Sequence, residues 1–359
     1  MAERRLNHRD RASSRTASPR LYQEQGLSLV ELMIAMVLGA VLTAGVIQVF
    51  TSNSQAYRVG EANARVQEAG RIAADILSRS LRSSGYFGCT QSSDMTNNLD
   101  DTSTNFDADQ HDIQVAGVSL PVVAPANSIP AADMIRVSGA RSEGVSIRSI
   151  ASVNSATLEV DNQGGLQIGD HVVISDCANA DVFEISSIDT SGTNPEIEAD
   201  ADPGTPGNDF TGNSPSGCTA VNCLSANYQV GAQILRVYSE VYYLDNNPNG
   251  NPALYVQLSD GSRVELVENI ADMRIRYRDA TGTFPTTAQV EASGFNFNSI
   301  VAVEVSLLAR SGGNANITPE LQQYCFPGWT DCVGAADFTT SPDNRLYRVY
   351  NLAVALRNR

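Results

Sequence analysis

Apolar and polar positions along the chain fall into three regimes. From Leu27 to Phe50 the chain is almost wholly apolar, and between Leu32 and Ile47 Thr43 is the one polar side chain. A run of that length predicts a helix able to cross a bilayer core, which takes about 20 residues. From residue 51 to residue 84 the apolar positions become periodic. Val59, Ala62, Val66, Ala69, Ala73 and Ile76 recur at steps of three and four, and Ile72, Leu77 and Leu81 widen the stripe. Arg58, Glu61, Arg65, Glu68, Arg71, Asp75 and Arg79 take the other faces, so this half is amphipathic. No Pro interrupts 27–82, and Ser83-Ser84-Gly85 supplies the stop. Gly39, Gly45, Gly60 and Gly70 weaken the helix locally and mark bends or close approach of another element.

Beyond Gly85 the period becomes two. Residues 90–111 are polar and turn-like and read as an exposed loop. Strands are expected at 113–116, 133–138, 145–150, 155–160, 170–175 and 181–187, within a β-rich insertion over 112–187. A flexible acidic loop follows at 189–220. The main antiparallel sheet is expected over 230–359, with strands at 233–244, 253–258, 263–267 and 300–308 and a terminal strand through Leu356. Met273, Ile275 and Tyr277 alternate with Arg274, Arg276 and Arg278, giving a half-buried strand whose basic face is either solvated or a partner surface. The expected fold class is α+β. A long N-terminal helix, with a membrane half at 27–50 and an amphipathic half at 51–84, packs on the antiparallel sheet of a head spanning 85–359.

Charge sets the topology. The first 26 residues hold six Arg against Glu3, Asp10 and Glu24, a net of +3, so the remainder carries −19 of the chain's −16. Basic residues just before the apolar run predict a cytoplasmic N-terminus, a single pass through the inner membrane and an exported head. An acidic head argues against nucleic-acid binding, which needs basic patches.

Candidate chemistry is sparse. The chain has no Lys, which removes the P-loop, the Ser-x-x-Lys pair and Schiff-base catalysis. His8, His111 and His171 form no His-Glu-x-x-His motif, and no Gly-x-Ser-x-Gly elbow is present. No catalytic residue and no resident cofactor is assigned. Glu196, Glu198, Asp200, Asp202 and Asp209 crowd the 189–220 loop, where calcium competes with a plain solvated loop, although the spacing does not match an EF-hand. All six Cys (Cys89, Cys177, Cys218, Cys223, Cys325 and Cys332) follow the apolar segment, which fits disulfides in an oxidising periplasm. Cys218 with Cys223 and Cys325 with Cys332 are close enough to close small loops, leaving Cys89 with Cys177. Zinc is the weaker alternative, because paired knuckles and nearby His are missing. Between Cys325 and Cys332 lies the sole Trp, Trp329, beside a Pro-Gly turn. On a clamped loop it is a candidate partner contact; the alternative is a small local core with Phe326.

The N-terminal run has one oddity, a carboxylate at Glu31 inside an apolar helix. An intramembrane carboxylate is costly and needs a partner. Basic residues, Gly26, then Leu27-Ser28-Leu29-Val30-Glu31 resemble the N-terminus of type IV prepilins, apart from Leu27 where that family usually has Phe, and a leader of 26 residues that is long for it. A secretory signal peptide fits less well, because the apolar run exceeds a signal core and Glu31 sits inside it; a plain signal anchor, with Glu31 at the helix end, carrying a periplasmic binding module or enzyme is the rival from another class. The resemblance implies removal of residues 1–26 after Gly26 by a prepilin peptidase, methylation of the new Leu27 amine, and a role for Glu31 in assembly. The segment from Gly169-Asp170 through Cys177 to Phe183, and the ending Val354-Ala355-Leu356-Arg357-Asn358, resemble the PilW family of minor pilins. That resemblance implies a low-abundance subunit that primes pilus assembly and sits near the pilus tip. Its implied partners are the major pilin, minor pilins of the FimU, PilV, PilX and PilE types, and a PilY-type tip protein. GspJ-type pseudopilins of type II secretion are similar to this family and give the alternative reading.

Overall fold

The computed structural model describes residues 28–89, 95–100, 118–120, 124–149, 156–200, 207–212, 219, 222–292, 295–313 and 317–357. The chain divides into two compact units, Met1–Ala56 and Tyr57–Arg359. Helix α1 (Leu29–Ser83) supplies the described structure of the first and opens the second.

In the second unit the buried positions of α1 are Ala62, Val66, Gly70, Ala73, Leu77 and Leu81. Steps of three and four keep these on one face. The observed stripe is rotated from the expected one: Leu77 and Leu81 lie at its centre, Ala69 and Ile76 are half-buried, and Ile72 is exposed. Gly70 explains part of the rotation. A Cβ there would stand 2.1 Å from the Tyr350 ring, so only Gly admits that ring against the helix. Around Gly60 a Cβ would meet nothing within 4 Å.

The strands are β1 (Met95–Asn97), β2 (Val118–Ser119), β3 (Ile135–Ser146), β4 (Thr157–Glu159), β5 (His171–Ser175), β6 (Ala180–Glu184), β7 (Ser187–Asp189) and β8 (Glu196–Glu198). They continue with β9 (Gln233–Asn246), β10 (Pro252–Gln257), β11 (Arg263–Glu268), β12 (Ile270–Asp279), β13 (Ile300–Arg310), β14 (Gln323–Tyr324), β15 (Thr339–Thr340) and β16 (Tyr347–Ala355). A short helix α2 (Thr287–Val290) precedes β13. The largest sheet has eight strands, with β9 as its spine. β5 and β10 pair with successive stretches of one edge of β9, and β3 pairs along the other. The β1–β6 pair is parallel; the remaining pairs are antiparallel. A second sheet, β12-β13-β16, has three strands.

The sheets cut across the expected divisions. β3 and β5, from the 112–187 stretch, pair with β9 from the 230–359 stretch, so the two share one sheet. The chain leaves that sheet at Asn269, which holds a φ of +68° between β11 and β12. Asn tolerates this left-handed conformation better than most residues. The expected strands 133–138 and 145–150 are one strand, β3, because β9 is long enough to pair with both ends across a register shift between Ser142 and Val145. Two segments read as loops contribute strands. Met95–Asn97 pairs with β6, and Leu99 beyond it is buried. Glu196–Glu198, inside the 189–220 stretch, pairs with both β4 and β7, and Ile197 is fully buried. In each case a few apolar side chains among polar neighbours find a distant core. The expected strand at 113–116 lies outside the described residues.

The main core joins α1 to both sheets. Val66, Ala73, Leu77 and Leu81 meet Tyr238 and Tyr242 of β9, Met273 and Tyr277 of β12, Val303, Val305 and Leu307 of β13 and Val354 of β16. A second core packs Leu158, Ile197, Phe183, Ile174 and Tyr228 around the small β4-β8-β7 sheet.

Candidate functional site

The apolar half of α1 is the first candidate. Every described residue from Ser28 to Phe50 is exposed. A continuous row of exposed Leu, Val, Ile, Met and Phe is unfavourable in water and suited to lipid or to other apolar helices. Two of the polar groups within it have a local setting. The Thr43 hydroxyl donates to the Gly39 carbonyl at 2.7 Å, so it needs no partner outside the helix. Glu31 lies in the first turn of α1, where the helix dipole favours a carboxylate, and it is solvent-facing in the isolated chain. Gly26 and Leu27 lie outside the described residues.

The second candidate is the loop from Cys325 to Cys332. The two Cys are joined, with Cα atoms 6.0 Å apart. Within the loop the Thr330 N–H donates to the Pro327 carbonyl at 2.9 Å, closing the turn. The loop lies on the face of the three-stranded sheet opposite α1. The Gly328 N–H donates to Ser306 Oγ at 2.9 Å, and a Cβ at Gly328 would stand 2.0 Å from Asn351. Trp329 is half-buried. Its ring is 4.7 Å from the Arg276 guanidinium carbon, which lies 3.9 Å from the Phe284 ring on another side. Arg276 is also paired with Glu304 at 2.7 Å. Trp329 is therefore held by a cation–π contact to β12 rather than packed with its own loop alone.

Two of the three Arg on β12 are engaged within the head. Arg274 lies 3.2 Å from Asp272 and 3.9 Å from Asp133, and Arg276 is held by Glu304 and two rings, while Arg278 is exposed. Sequence alone shows only part of this: Asp272 lies two residues before Arg274, but Glu304 of β13 and Asp133 are distant in the chain.

The remaining singled-out residues disperse. Cys89 and Cys177 are joined, tying the chain just past α1 to the β5–β6 turn. Cys223 is disulfide-bonded; Cys218 lies outside the described residues. Glu196 and Glu198 flank Ile197 on β8, Glu198 accepts from the Ser187 hydroxyl at 2.7 Å, and Asp209 accepts from the Thr211 N–H at 2.8 Å. Asp202 lies outside the described residues. Among the described residues no three His, Cys, Asp or Glu side chains converge as a metal site. His171 Nε2 lies 3.7 Å from Glu184; His8 and His111 lie outside the described residues. Sequence reading missed one buried polar cluster. Asp181 is fully buried and accepts from Asn98 at 2.9 Å, Ser225 at 2.7 Å and the Tyr228 hydroxyl at 2.7 Å. Burial, with Asp181 second, raises the Tyr228 hydroxyl pKa. These satisfied bonds fix β6 to the 222–228 segment and carry no sign of catalysis.

An exposed apolar helix half followed by an amphipathic half packed on a largely antiparallel head defines the class: an α+β, type IV pilin-like protein. Residues 22–47 match the prokaryotic N-terminal methylation motif. Residues 241–358, from within β9 to the terminal strand, match the family described as Type IV Pilus-assembly protein W, PilW. No curated protein sequence matches the chain. Among solved structures, the type IV-like pilin TTHA1219 from Thermus thermophilus is similar at a TM-score of 0.32 and 12% identity, over 82% of this chain and 96% of that one.

Proposed function

We propose that this protein is a minor pilin that helps prime assembly of a type IV pilus and sits near the pilus tip, without catalytic activity. The observation that carries the reading is the union of a prepilin-type N-terminus at 22–47 with a PilW region at 241–358 in one chain. In this reading the peptidase removes residues 1–26, Leu27 becomes a methylated N-terminus, and the head lies in the periplasm until the subunit is drawn into the filament. Glu31 pairs with the Leu27 amine of its own or a neighbouring subunit, which offsets the cost of burying both charges among apolar helices. The partners are the major pilin, FimU, PilV, PilX and PilE-type minor pilins and a PilY-type tip protein.

Substitution at Gly26 tests the first step. Intact-mass measurement should show the leader retained in the Gly26→Asp chain and removed from the native one. Removal of the leader from both would overturn the prepilin reading. Glu31→Gln should leave membrane insertion intact and reduce surface pili in cells lacking the native protein. Normal pilus number in those cells would remove the assembly role of Glu31.

A further inference from the structure

An edge strand presents unpaired N–H and C=O groups, and folded chains usually blunt their edges against pairing with another chain. Most described edges here are short, charged, irregular or covered. β1, β2, β4 and β7 have two or three residues each. β11 carries Arg263, Glu265 and Glu268 and pairs with β10 across a register shift. β3 is met by the chain just past α1, where the Gly85 N–H donates to the Ser138 carbonyl at 2.9 Å and the Ala140 N–H to the Tyr86 carbonyl at 2.6 Å. β12 is covered by Asp133, whose N–H donates to the Met273 carbonyl at 2.9 Å and whose carboxylate accepts from the Ile275 N–H at 2.8 Å.

The strand β16 differs. It pairs with β13 along Tyr347–Ala355 without a register shift. The Leu356 N–H donates to the Val301 carbonyl at 2.9 Å, and the Ser311 N–H to the Leu346 carbonyl at 2.8 Å. Even-numbered residues therefore bond toward β13, and odd-numbered ones point their backbone groups to the open side. At Tyr347 the outward N–H is taken by the Gln322 side chain at 2.7 Å. Past it, no described group bonds to the outward backbone of Val349, Asn351, Ala353 or Ala355, and the last three of these residues are exposed. From Val349 to Ala355 there is no Pro, no Gly and no charge. Tyr350 and Leu352 pack against the main core from this strand yet remain half-buried.

We propose that the β16 edge from Val349 to Ala355 accepts an added strand from a neighbouring polypeptide, an extended segment with alternating apolar residues and acidic ends. The backbone sets the class of occupant. Donors and acceptors repeating every second residue are matched by another extended backbone, whose main-chain bonds supply affinity in strand addition. Apolar side chains on the α1 side of the added strand would complete the cover of Tyr350 and Leu352. Charge sets the ends. Arg348 and Arg357 flank the edge, both are exposed, and neither forms an ion pair among the described residues; Arg348 bonds to the neutral Asn63 side chain at 2.9 Å. The proposal rests on the filament reading only for where the neighbouring chain comes from.

The test is isothermal titration of the full chain in detergent micelles, against an empty-micelle blank, with the peptide acetyl-Asp-Thr-Val-Thr-Val-Thr-Asp-amide. The peptide should bind saturably. N-methylation of one alternate set of its amides removes the bonds to the edge and leaves every side chain in place. Methylating the Thr amides should weaken binding about tenfold or more if the strand adds antiparallel, and methylating the Val amides if it adds parallel, the loss expected from two or three hydrogen bonds. The other set should bind nearly as the unmodified peptide does. Ala353→Pro removes an outward N–H at an edge position that tolerates Pro, so it should leave the thermal midpoint nearly unchanged and abolish binding. An Arg-ended peptide should bind several-fold more weakly than the Asp-ended one. No saturable binding, or equal loss or no loss from the two methylated sets on the native chain, would overturn the proposal. Equal affinity for the Asp-ended and Arg-ended peptides would overturn the acidic ends. A dimer of the full chain in micelles that Ala353→Pro dissolves would replace the neighbouring polypeptide with a second copy. Failure of the titration leaves the pilin reading untouched, because leader removal and pilus number are measured without the peptide.

Discussion

Gly70→Ala sets two effects of opposite sign against each other, and the structure decides between them. In an exposed helix interior this change stabilises by about 1 kcal/mol, because Gly loses more backbone entropy on folding than Ala. At Gly70, however, the new Cβ would lie 2.1, 2.3 and 2.5 Å from three atoms of the Tyr350 ring. Real Cβ atoms do not approach that closely, so the ring or the helix must move. Overpacking of this kind costs about 1–3 kcal/mol. Displacing the ring also breaks the hydrogen bond from the Tyr350 hydroxyl to the Val66 carbonyl at 3.3 Å, worth about 0.5–1.5 kcal/mol. The balance is a net loss of roughly 1–3 kcal/mol. Two controls fix the cause. Gly60→Ala, with nothing within 4 Å of its new Cβ, should stabilise by up to about 1 kcal/mol. In a Tyr350→Ala background the clash is gone, so Gly70→Ala should change sign and become stabilising. The assay is urea unfolding of the full chain in micelles, followed by near-ultraviolet circular dichroism, with all four corners of the cycle measured. A stabilising Gly70→Ala in the native background, or the same loss with Tyr350 absent, would refute the packing argument.

Three further outcomes follow from the same structure. Replacing both Cys89 and Cys177 with Ser opens a loop spanning 88 residues and should cost about 2–4 kcal/mol, read by denaturant midpoint; a cost under about 1 kcal/mol would mean the unfolded chain gains little freedom from losing the link. Burial raises the hydroxyls of Tyr228, Tyr242 and Tyr277, and burial with Asp343 beside it pushes Tyr347 up to about 12. Folded values above the unfolded value of about 10 give stability that is complete below pH ~10 and is lost as pH rises through the folded values. Tyrosinate absorbance should therefore show a fraction that appears only together with alkaline unfolding; full ionisation near pH 10 with the fold intact would contradict the burial. Trp329→Ala should lower stability by about 1–2 kcal/mol, from the cation–π contact and part of the burial of a half-buried ring, while reducing co-purification of pilin partners; a loss above about 3 kcal/mol, as for a fully buried Trp, would assign Trp329 to the core instead.

What the sequence determined by itself is whatever depends on neighbours within a few residues. The apolar run to Phe50, the helical stripe after it and the Gly26-to-Glu31 spacing are all local, so the helix, its two characters and the prepilin-type N-terminus were legible. Alternation on β12, β13 and β16 was legible for the same reason. Pairing was not. Whether β3 is one strand or two depends on the length of β9, about a hundred residues away in the chain. That β11 and β12 join different sheets rests on one left-handed residue, Asn269, which nothing in its local pattern singles out. Ile197 and Leu99 sit in polar stretches that read as loops, and the strands holding Ile197 and preceding Leu99 form where distant cores have room for one more apolar side chain. The same holds for the candidate sites. Trp329 and the disulfide around it were visible in the sequence, but the Arg276 that holds the ring lies on β12, far from it in the chain. Side-chain period is a property of a segment, whereas register, burial and charge pairing belong to the packed chain, and only the tertiary structure sets them.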